Sequence, residues 1–367
     1  MIIGIDGNEA NVTYKVGVSV YTFQLLNYFQ KQASENLQFI VYLRKSPQSD
    51  LPPSTEFFTY KIIWGPMLWS QLFLPLHLWL FKIQGKLLNV FFSPAHYIPR
   101  NCPFKTIVTI HDLSYIYFPD EFLKKDLFQL KNWTEYSLKN SSKIIAVSKT
   151  TKKDIIHEYG INDEKISVVY NGYEHHYENS PPPAKPVISE PYFLYVGTIQ
   201  PRKNLSFLIS AFAQFSKRNP TYKLVLAGKK GWLYENIYKK VEQLRMENTI
   251  LFPGFVSEST KDVLYKNAAA FIMPSLYEGF GIPLLEAMAH ACPTLSSFSS
   301  SLPEVGGEAC LYFDPKDNND LVEKMETIVS DKNLKRKLIS AGKKRVENFS
   351  WLESGKQTLS LIQSICE

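Results

Sequence analysis

The stretch AFIMPSLYEGFGIPLLE, residues 270–286, joins an apolar run to a turn with two glycines and then to a second apolar segment. The run Ala270–Ser275 lacks polar alternation, which is typical of a strand buried on both faces of a parallel sheet. Pro283 suits the first turn of a helix, where a missing N–H costs no hydrogen bond. A buried strand followed at once by a helix is the repeating unit of an α/β fold.

The same alternation extends along most of the chain and predicts two doubly wound parallel sheets. Strands are predicted at Ile2–Asp6, Gln38–Leu43, Asn89–Ser93, Thr106–Ile110, Lys143–Val147, Ile166–Tyr170, Phe193–Gly197, Lys223–Gly228, Thr249–Pro253, Ala270–Ser275, Thr294–Ser297 and Leu311–Phe313. Helices are predicted at Val18–Lys31, Thr150–Tyr159, Leu205–Arg218, Leu233–Met246, Ser259–Asn267, Pro283–Ala291, Asn319–Ser330 and Trp351–Cys366. Ser148 and Gly160 are the expected caps of the second helix.

One segment, Glu174–Glu190, interrupts the alternation with four prolines and little apolar content, which is the composition of a stiff linker. A chain of 367 residues suits two domains. We therefore expect Rossmann-like domains at residues 1–178 and 190–349. Because doubly wound sheets bind ligands at the carboxyl ends of their strands, the expected site is an interdomain cleft.

Composition excludes several function classes. The chain is 45% hydrophobic and 21% charged with a net charge of +6, which is typical of a globular protein. It has no Lys/Arg stripe with interleaved aromatics, so nucleic-acid binding is not expected. The four cysteines form no CxxC pair, so neither a disulfide framework nor a zinc site is predicted, and reduced thiols are expected.

The first residues, MIIGIDGNEA, predict a strand rather than a signal peptide, and a cytoplasmic protein is expected. The most membrane-like stretch is residues 64–81, which Gln71, Pro75 and His77 interrupt. It is too short to span a bilayer, so a packed helix is expected, with an interfacial helix as the alternative. This stretch and the mild positive charge permit peripheral contact with a membrane.

The glycine turn is a candidate anion site. Gly279 and Gly281 lack a Cβ, so backbone N–H groups can approach a ligand, and a helix N-terminus favours phosphate. Glu278 in the turn and Glu286 in the first helical turn could hold hydroxyls of two different sugars. The alternative is that Glu286 only complements the helix dipole and that Glu278 is a solvated loop residue.

Two adjacent cations, Arg202 and Lys203, precede the helix predicted from Leu205. Cations at a helix N-terminus are electrostatically unfavourable unless an anion lies between them and the helix. Arg suits bidentate phosphate contact and Lys a point-charge contact, and fixed cations stabilise charge on a departing diphosphate. Two solvated cations are the alternative.

The spacing of Glu278 and Glu286, with seven residues between them, resembles the E-x7-E signature of retaining glycosyltransferases of family 4, which have the GT-B fold. Other segments resemble further landmarks of that family: Val196–Asn204, Leu226–Gly228, Pro253–Val256, Ser301–Glu304, Ile110–Leu113, Ala146–Ser148 and Tyr170–Gly172. The resemblance implies a nucleotide-sugar donor, a glycan or lipid-linked acceptor, and a C-terminal helix, residues 350–367, that packs back on the first domain.

The resemblance also assigns roles. It implies that His111, which follows a predicted strand, reaches the transferred sugar and acts with Glu278, Arg202 and Lys203; a structural histidine is the alternative. Residues implied to bind the donor are Gly17, Arg202, Lys203, Phe255, Gly279, Phe280, Gly281 and Glu286. Many members of the family carry Arg where this chain has Thr198. This difference weakens any inference of the donor of this chain from the donors of other members.

No DxD sequence and no His/Cys cluster with ligand spacing occurs, so we expect no metal or other cofactor. Retention is expected through same-face attack without a covalent sugar–enzyme intermediate. GDP-mannose is the first expected donor, because the HDL and VGT–PRKN variants resemble mannosyltransferases, and a UDP-sugar is the second. The acceptor is expected in cell-surface polysaccharide or lipopolysaccharide synthesis. Two alternatives are a sugar-nucleotide epimerase and a catalytically silent nucleotide-sugar-binding subunit.

Overall fold

A computed structural model describes residues 1–65, 68–174 and 188–366 of the chain. By internal packing the chain forms two compact units. Unit 1 comprises residues 1–116, 123–172 and 350–367, and unit 2 comprises residues 117–122 and 173–349. Residues 175–187, most of the predicted Pro-rich linker, lie outside the described residues.

Unit 1 contains a parallel sheet of seven strands in the order β3-β2-β1-β4-β5-β6-β7. The strands are β1 (Ile2–Asp6), β2 (Gln38–Leu43), β3 (Phe58–Ile62), β4 (Val90–Ser93), β5 (Lys105–Ile110), β6 (Lys143–Ala146) and β7 (Ile166–Val168). Its helices are α1 (Val18–Gln32), α2 (Phe73–Ile83), α3 (Ser114–Tyr117, whose last residue falls in unit 2), α4 (Lys124–Asn140) and α5 (Lys149–Tyr159).

Unit 2 contains a parallel sheet of six strands in the order β10-β9-β8-β11-β12-β13. The strands are β8 (Tyr192–Val196), β9 (Lys223–Ala227), β10 (Ile250–Gly254), β11 (Ala270–Met273), β12 (Thr294–Ser297) and β13 (Cys310–Phe313). Its helices are α6 (Leu205–Ser216), α7 (Glu235–Gln243), α8 (Glu258–Asn267), α9 (Ile282–Ala289), α10 (Leu302–Gly306), α11 (Asn318–Ser330) and α12 (Lys332–Val346). All-parallel sheets with helices between their strands confirm the predicted doubly wound class.

A further helix, α13 (Trp351–Ser364), follows unit 2 in sequence but belongs to unit 1, where it packs on α1. The ring centroids of Tyr21 and Trp351 lie 6.1 Å apart. A Cβ on Gly172 would lie 2.1 Å from the backbone nitrogen of Trp351, so only glycine allows the chain to pass this close.

Every predicted strand is present, with ends that differ by at most two residues. The caps of α5 are also confirmed: the Ser148 side chain accepts a hydrogen bond from Thr151 N, and Gly160 has φ = 62°. The sequence prediction had no counterpart for β3, α4 and α12, nor for the short helices α3 and α10. It also placed residues 117–122 in the first domain, whereas they pack in unit 2, where the Tyr117 and Tyr277 rings stack 5.5 Å apart.

The carboxyl edge of the unit 2 sheet is shaped by glycine. A Cβ on Gly228, just after β9, would lie 1.9 Å from the carbonyl oxygen of Gly197, just after β8. The Gly228 N–H also donates to the carbonyl of Gly254 at 2.8 Å. The segments that leave β8 and β9 therefore pass closer together than a side chain at Gly228 would allow, and a main-chain hydrogen bond joins the second of them to the end of β10.

The stretch 64–81, predicted as a packed helix, is helical from Phe73 in the form of α2. Within the described residues, no helix combines the length and the apolar content needed to cross a bilayer.

Candidate active site

The glycine turn in unit 2 connects β11 to α9 as the sequence predicted. Gly281 caps the helix with φ = 107°, a conformation that residues with a Cβ rarely adopt. A Cβ at this position would also lie 2.8 Å from Leu302 Cδ2. Pro283 occupies the first turn of α9, so strand, turn and helix N-terminus are fixed by local sequence.

Arg202 and Lys203 lie against this turn although 75 residues separate them from it. The Arg202 guanidinium donates to the carbonyl of Tyr277 at 2.9 Å, and Leu276 N donates to the carbonyl of Arg202 at 3.2 Å. The side-chain and main-chain bonds together fix the end of β8 beside the turn.

Both cations surround the carboxylate of Glu278. Lys203 Nζ donates to Glu278 Oε1, and Arg202 Nη1 lies 3.6 Å from Glu278 Oε2. Ser275 Oγ also donates to Oε1 at 2.7 Å. The three charged side chains are only about one-tenth exposed, at 10–15%. Glu278 is therefore not the solvated loop residue of the alternative interpretation.

The ionisation of Glu278 follows from this pairing. Burial raises the pKa of its carboxyl group, but the positive charges of Lys203 and Arg202 and the hydrogen bonds lower it further, so the pKa ends below its usual value. Glu278 is consequently a carboxylate at neutral pH.

Glu286 was predicted in the first helical turn, but α9 begins at Ile282, so Glu286 lies in the second turn. Two side chains of α8 hold it there. Lys261 Nζ lies 2.9 Å from Oε1, and the Tyr265 hydroxyl donates to Oε2 at 2.8 Å. Burial lowers the pKa of Lys261, but Glu286 and Glu258 raise it further, so the amine stays protonated. Each carboxylate oxygen has a second lone pair, so Glu286 retains acceptor capacity for a ligand hydroxyl.

Serines at and beyond the end of β12 brace the turn, a role that the sequence did not predict. Ser297 Oγ donates to the carbonyl of Ser275 at 2.7 Å, and Ser299 Oγ donates to that of Leu276. Ser301 Oγ is within reach of two turn carbonyls, at 2.8 Å from Glu278 O and 3.0 Å from Phe280 O. The available signal was the run SSFSSS at residues 296–301.

The other predicted donor-binding residues of unit 2 differ in accessibility. Phe255 follows β10 and is half exposed, so its ring can contact a ligand. The Phe280 ring is buried and lies 5.6 Å from that of Phe349, so only the main chain of Phe280 is placed for ligand contact. Gly279 lies between Phe280 and the buried Glu278, within the braced turn.

The predicted residues of unit 1 are His111 and Gly17. His111 directly follows β5 and is buried, with Nε2 at 2.7 Å from the carbonyl oxygen of Pro94. Because a carbonyl only accepts, Nε2 carries the proton. Burial and the nearby His96 lower the pKa of His111 to about 3, so the ring is neutral at pH 7. Gly17 caps α1 with φ = 52°, and a Cβ there would meet no atom within 4 Å.

No cluster of three or more His, Cys, Asp or Glu side chains suited to a metal ion occurs among the residues that the structure describes. The charges that converge at the glycine turn are those of Arg202, Lys203 and Glu278. Such an arrangement can bind a polar anion through the cations and a hydroxyl group through the carboxylate.

Two family sequence models cover the chain almost end to end. The model described as glycosyl transferases group 1 matches residues 179–345, and that described as glycosyltransferase family 4 matches residues 16–177. The chain belongs to this glycosyltransferase family. It is therefore a transferase with the GT-B fold, as the E-x7-E spacing predicted.

Several proteins similar to this chain are named as mannosyltransferases. The chain is 29% identical over 279 residues to O-antigen chain mannosyltransferase B of Escherichia coli, covering 74% of this chain and 73% of the relative. It is 32% identical over 210 residues to O-antigen chain mannosyltransferase RfbU of Salmonella typhimurium, covering 57% of each. The chain thus spans just over half the length of the second relative.

A solved structure shows the same fold at low identity. Sucrose-phosphate synthase from Thermosynechococcus elongatus superposes with a TM-score of 0.77 and 19% identity, covering 99% of this chain and 98% of that one.

Proposed function

We propose that this glycosyltransferase transfers mannose from GDP-mannose to a hydroxyl of a glycan or lipid-linked acceptor, with retention of the anomeric configuration. The acceptor belongs to cell-surface polysaccharide or lipopolysaccharide synthesis. The names of the Escherichia coli and Salmonella typhimurium relatives, both O-antigen mannosyltransferases, support mannose and this acceptor class.

One observation carries the proposal: Arg202 and Lys203 converge with Glu278 on the turn that opens α9. Both side chains are fixed cations beside the turn, and fixed cations stabilise the negative charge of a diphosphate. Both can therefore bind diphosphate oxygens while they hold the carboxylate in place. Glu278 then binds a hydroxyl of the sugar, and Glu286 binds a hydroxyl of the nucleotide ribose.

The proposed reaction exchanges one C–O bond for another. The bond between the sugar C1 and the diphosphate oxygen breaks, while the acceptor hydroxyl oxygen bonds to C1 on the same face. The acceptor proton passes to the leaving phosphate oxygen. Arg202 and Lys203 stabilise the charge that develops on the diphosphate, and no metal is required.

Glu278 acts here as a positioned hydrogen-bond acceptor rather than a nucleophile. Its two oxygens already face Lys203, Ser275 and Arg202, and an ion-paired carboxylate is a weak nucleophile. We assign His111, in unit 1, a similar role in positioning: its neutral ring forms a hydrogen bond with the transferred sugar. A covalent glycosyl adduct on Glu278 would contradict this mechanism.

The proposed localisation is the cytoplasm, where the enzyme contacts the inner face of the membrane peripherally. This proposal takes the GDP-sugar donor to be cytoplasmic. A lipid-linked acceptor lies in the bilayer, so the enzyme must approach the membrane surface to reach it.

A thermal-shift panel of GDP-mannose, UDP-glucose, ADP-glucose and dTDP-glucose tests the donor. A ligand at about 100 times its Kd stabilises the folded protein by about 2.7 kcal/mol, a measurable rise in Tm. GDP-mannose is expected to give the largest rise, and the rise should vanish in Lys203→Met. The matched control is Lys223→Met, at the amino-terminal end of β9. A larger rise in Tm with UDP-glucose would overturn the assignment of GDP-mannose as the donor, but not the assignment of the chain as a transferase.

A further inference from the structure

A large part of the exposed apolar surface lies in one segment of unit 1. Among the described residues, nine of the twenty exposed large hydrophobic side chains fall between Ile62 and Leu87. They are Ile62, Trp64, Leu68, Leu72, Leu76, Trp79, Leu80, Ile83 and Leu87. Such a concentration of exposed apolar side chains in one segment indicates an interaction site rather than ordinary surface scatter.

Helix α2 arranges five of these side chains as one face. The exposed residues Leu72, Leu76, Trp79, Leu80 and Ile83 follow the spacing i, i+4, i+7, i+8 and i+11 of a single helical stripe. We call this stripe the outer face of α2. It is apolar, although it is not covered by the described part of the chain.

The opposite side of α2 accounts for the stability of the helix. Leu74 and Leu78 are fully buried in a cluster with Tyr42 and Phe91 of the sheet. The apolar residues of the outer face are therefore not needed to attach α2 to unit 1.

The charge of this segment is one-sided. The sequence has no Asp or Glu between Glu56 and Asp112, but it has five cations there, Lys61, Lys82, Lys86, Arg100 and Lys105. The Lys82 ammonium lies 5.8 Å from the Trp79 ring, and the Lys86 ammonium lies 5.6 Å from the Phe81 ring. Lysine side chains beside an apolar face can place their charges at the level of lipid headgroups while their stems contact hydrocarbon.

We infer that the outer face of α2, with Trp64 and Lys61, Lys82 and Lys86, docks on an anionic lipid bilayer. The exposed Leu and Ile side chains enter the interface between headgroups and acyl chains, and the lysines bind anionic headgroups. Trp79, whose indole N–H donates to the carbonyl of Asn101 at 2.8 Å, lies in the same face. This inference concerns unit 1 and does not depend on the proposed donor.

A second copy of the chain fits this surface less well. A symmetric dimer through the outer face would bring the same lysines from both copies together. Because residues 57–111 contain no carboxylate, nothing in this segment of the partner would pair with them. An anionic bilayer supplies the charge that a second copy lacks.

Co-sedimentation with vesicles tests the inference on the full chain. The two probes are phosphatidylcholine vesicles with and without phosphatidylglycerol, at a ratio of about three to one in the anionic set. The wild type is expected to sediment with the anionic vesicles, and added salt should weaken this binding because screening weakens headgroup attraction.

Two variants separate the apolar and the charged contributions. Leu76→Ser/Ile83→Ser should reduce binding to anionic vesicles about tenfold or more, since insertion depends on buried apolar area. Lys61→Gln/Lys82→Gln/Lys86→Gln should remove most of the preference for anionic over neutral vesicles. The matched control is Leu352→Ser on α13, where the side chain is 65% exposed, compared with 59% for Leu76 and 75% for Ile83.

Three outcomes would overturn the inference. They are no binding of the wild type to anionic vesicles, equal binding of wild type and Leu76→Ser/Ile83→Ser, and an equal loss in Leu352→Ser. A wild-type dimer in light scattering that Leu76→Ser/Ile83→Ser dissociates, with vesicle binding unchanged, would assign the face to self-association. Because the substituted side chains are exposed, unchanged melting temperatures are expected and show that the variants fold.

Discussion

The hydroxyl of Tyr265 donates to Oε2 of Glu286 at 2.8 Å from inside the core of unit 2. Tyr265 is fully buried, and its ring stacks on that of His290 with centroids 5.4 Å apart. One carboxylate of the E-x7-E pair is thus oriented by a side chain that cannot itself reach solvent. Burial and the charge of Glu286 raise the pKa of Tyr265 well above its usual value, so the hydroxyl remains a donor.

Tyr265→Phe is expected to raise the KM for the donor about fivefold or more with a smaller change in kcat, because a hydrogen bond to a charged group contributes about 1.5–3 kcal/mol. Steady-state kinetics with varied donor measures this. The matched control is Tyr192→Phe, which also removes one buried hydroxyl. The Tyr192 hydroxyl donates at 2.7 Å to the carbonyl of Leu264, which lies on α8 next to Tyr265. A similar rise in KM in both variants would show that general loss of packing, not the orientation of Glu286, is responsible.

Glu278→Gln is expected to lower kcat about 100-fold or more, since it removes the negative charge and replaces one of the two acceptor oxygens that face Lys203 and Arg202 with an NH2 donor. The folded protein should also lose about 3 kcal/mol at pH 7, because two buried cations lose their counter-charge. Chemical denaturation and initial rates measure both effects. Glu258→Gln, which removes a half-exposed carboxylate beside Lys261, is the control and should change neither quantity much.

The pH dependence of stability gives an independent test of the same ion pair. The pKa of Glu278 is lowered in the folded protein, so its ionised form stabilises the folded state above the unfolded pKa of about 4.3. That contribution is lost as the pH falls below this value towards the lowered pKa. The difference in unfolding free energy between wild type and Glu278→Gln should therefore be constant near neutrality and shrink below about pH 4. A difference that stays unchanged at low pH would contradict the pairing.

Ser301→Ala is expected to lower activity about tenfold, because its single hydroxyl proton lies within reach of the turn carbonyls of Glu278 and Phe280, and loss of a buried hydrogen bond costs about 1–3 kcal/mol. Donor KM and kcat measure the effect. Ser296→Ala serves as the control, since Ser296 is equally buried but its hydroxyl bonds the carbonyl of Ser297 rather than the turn. Equal losses in the two variants would remove the special role of Ser301.

Transfer activity is expected to persist in excess chelator, because Arg202 and Lys203 supply the positive charge that the diphosphate needs. The measurement is the initial rate with and without EDTA, after dialysis of the enzyme against the chelator. Arg202→Gln, which replaces the guanidinium N–H donors with a neutral amide NH2 donor, should lose activity under both conditions. Recovery of the wild type only on addition of Mg²⁺ or Mn²⁺ would show that the metal-independent mechanism is wrong.

Sequence patterns predicted the strands well because most are buried on both faces and therefore apolar throughout. The edge strand β3 was missed since the polar residues Thr59 and Lys61, both exposed in the structure, interrupt its apolar run. Helix α4 was missed for a related reason. Its buried face is formed partly by Thr134 and Ser137, so it lacks an apolar stripe that could be recognised.

The residues of the candidate site also fall into those that local sequence predicts and those that only tertiary contacts determine. Local sequence fixes the turn, through Gly281 and Pro283, and those residues were predicted. The partners of the two carboxylates are set by tertiary contacts: Lys261 and Tyr265 lie on a different helix from Glu286, and no local pattern marks them. The proximity of Arg202 to Tyr277, across 75 residues, depends likewise on the neighbouring positions of β8 and β11 in the sheet.

The position of α13 on α1 has a consequence for biosynthesis. Residues 1–172 leave the ribosome long before residues 351–364, which fill the surface beside Tyr21 and Gly172. Unit 2 has all its strands and helices once residue 346 has emerged, so it can complete folding first. Unit 1 is synthesised earlier, but it cannot complete its packing until α13 has been synthesised. A chain truncated before Trp351 would therefore be incompletely folded in unit 1, which is formed mainly by its N-terminal residues.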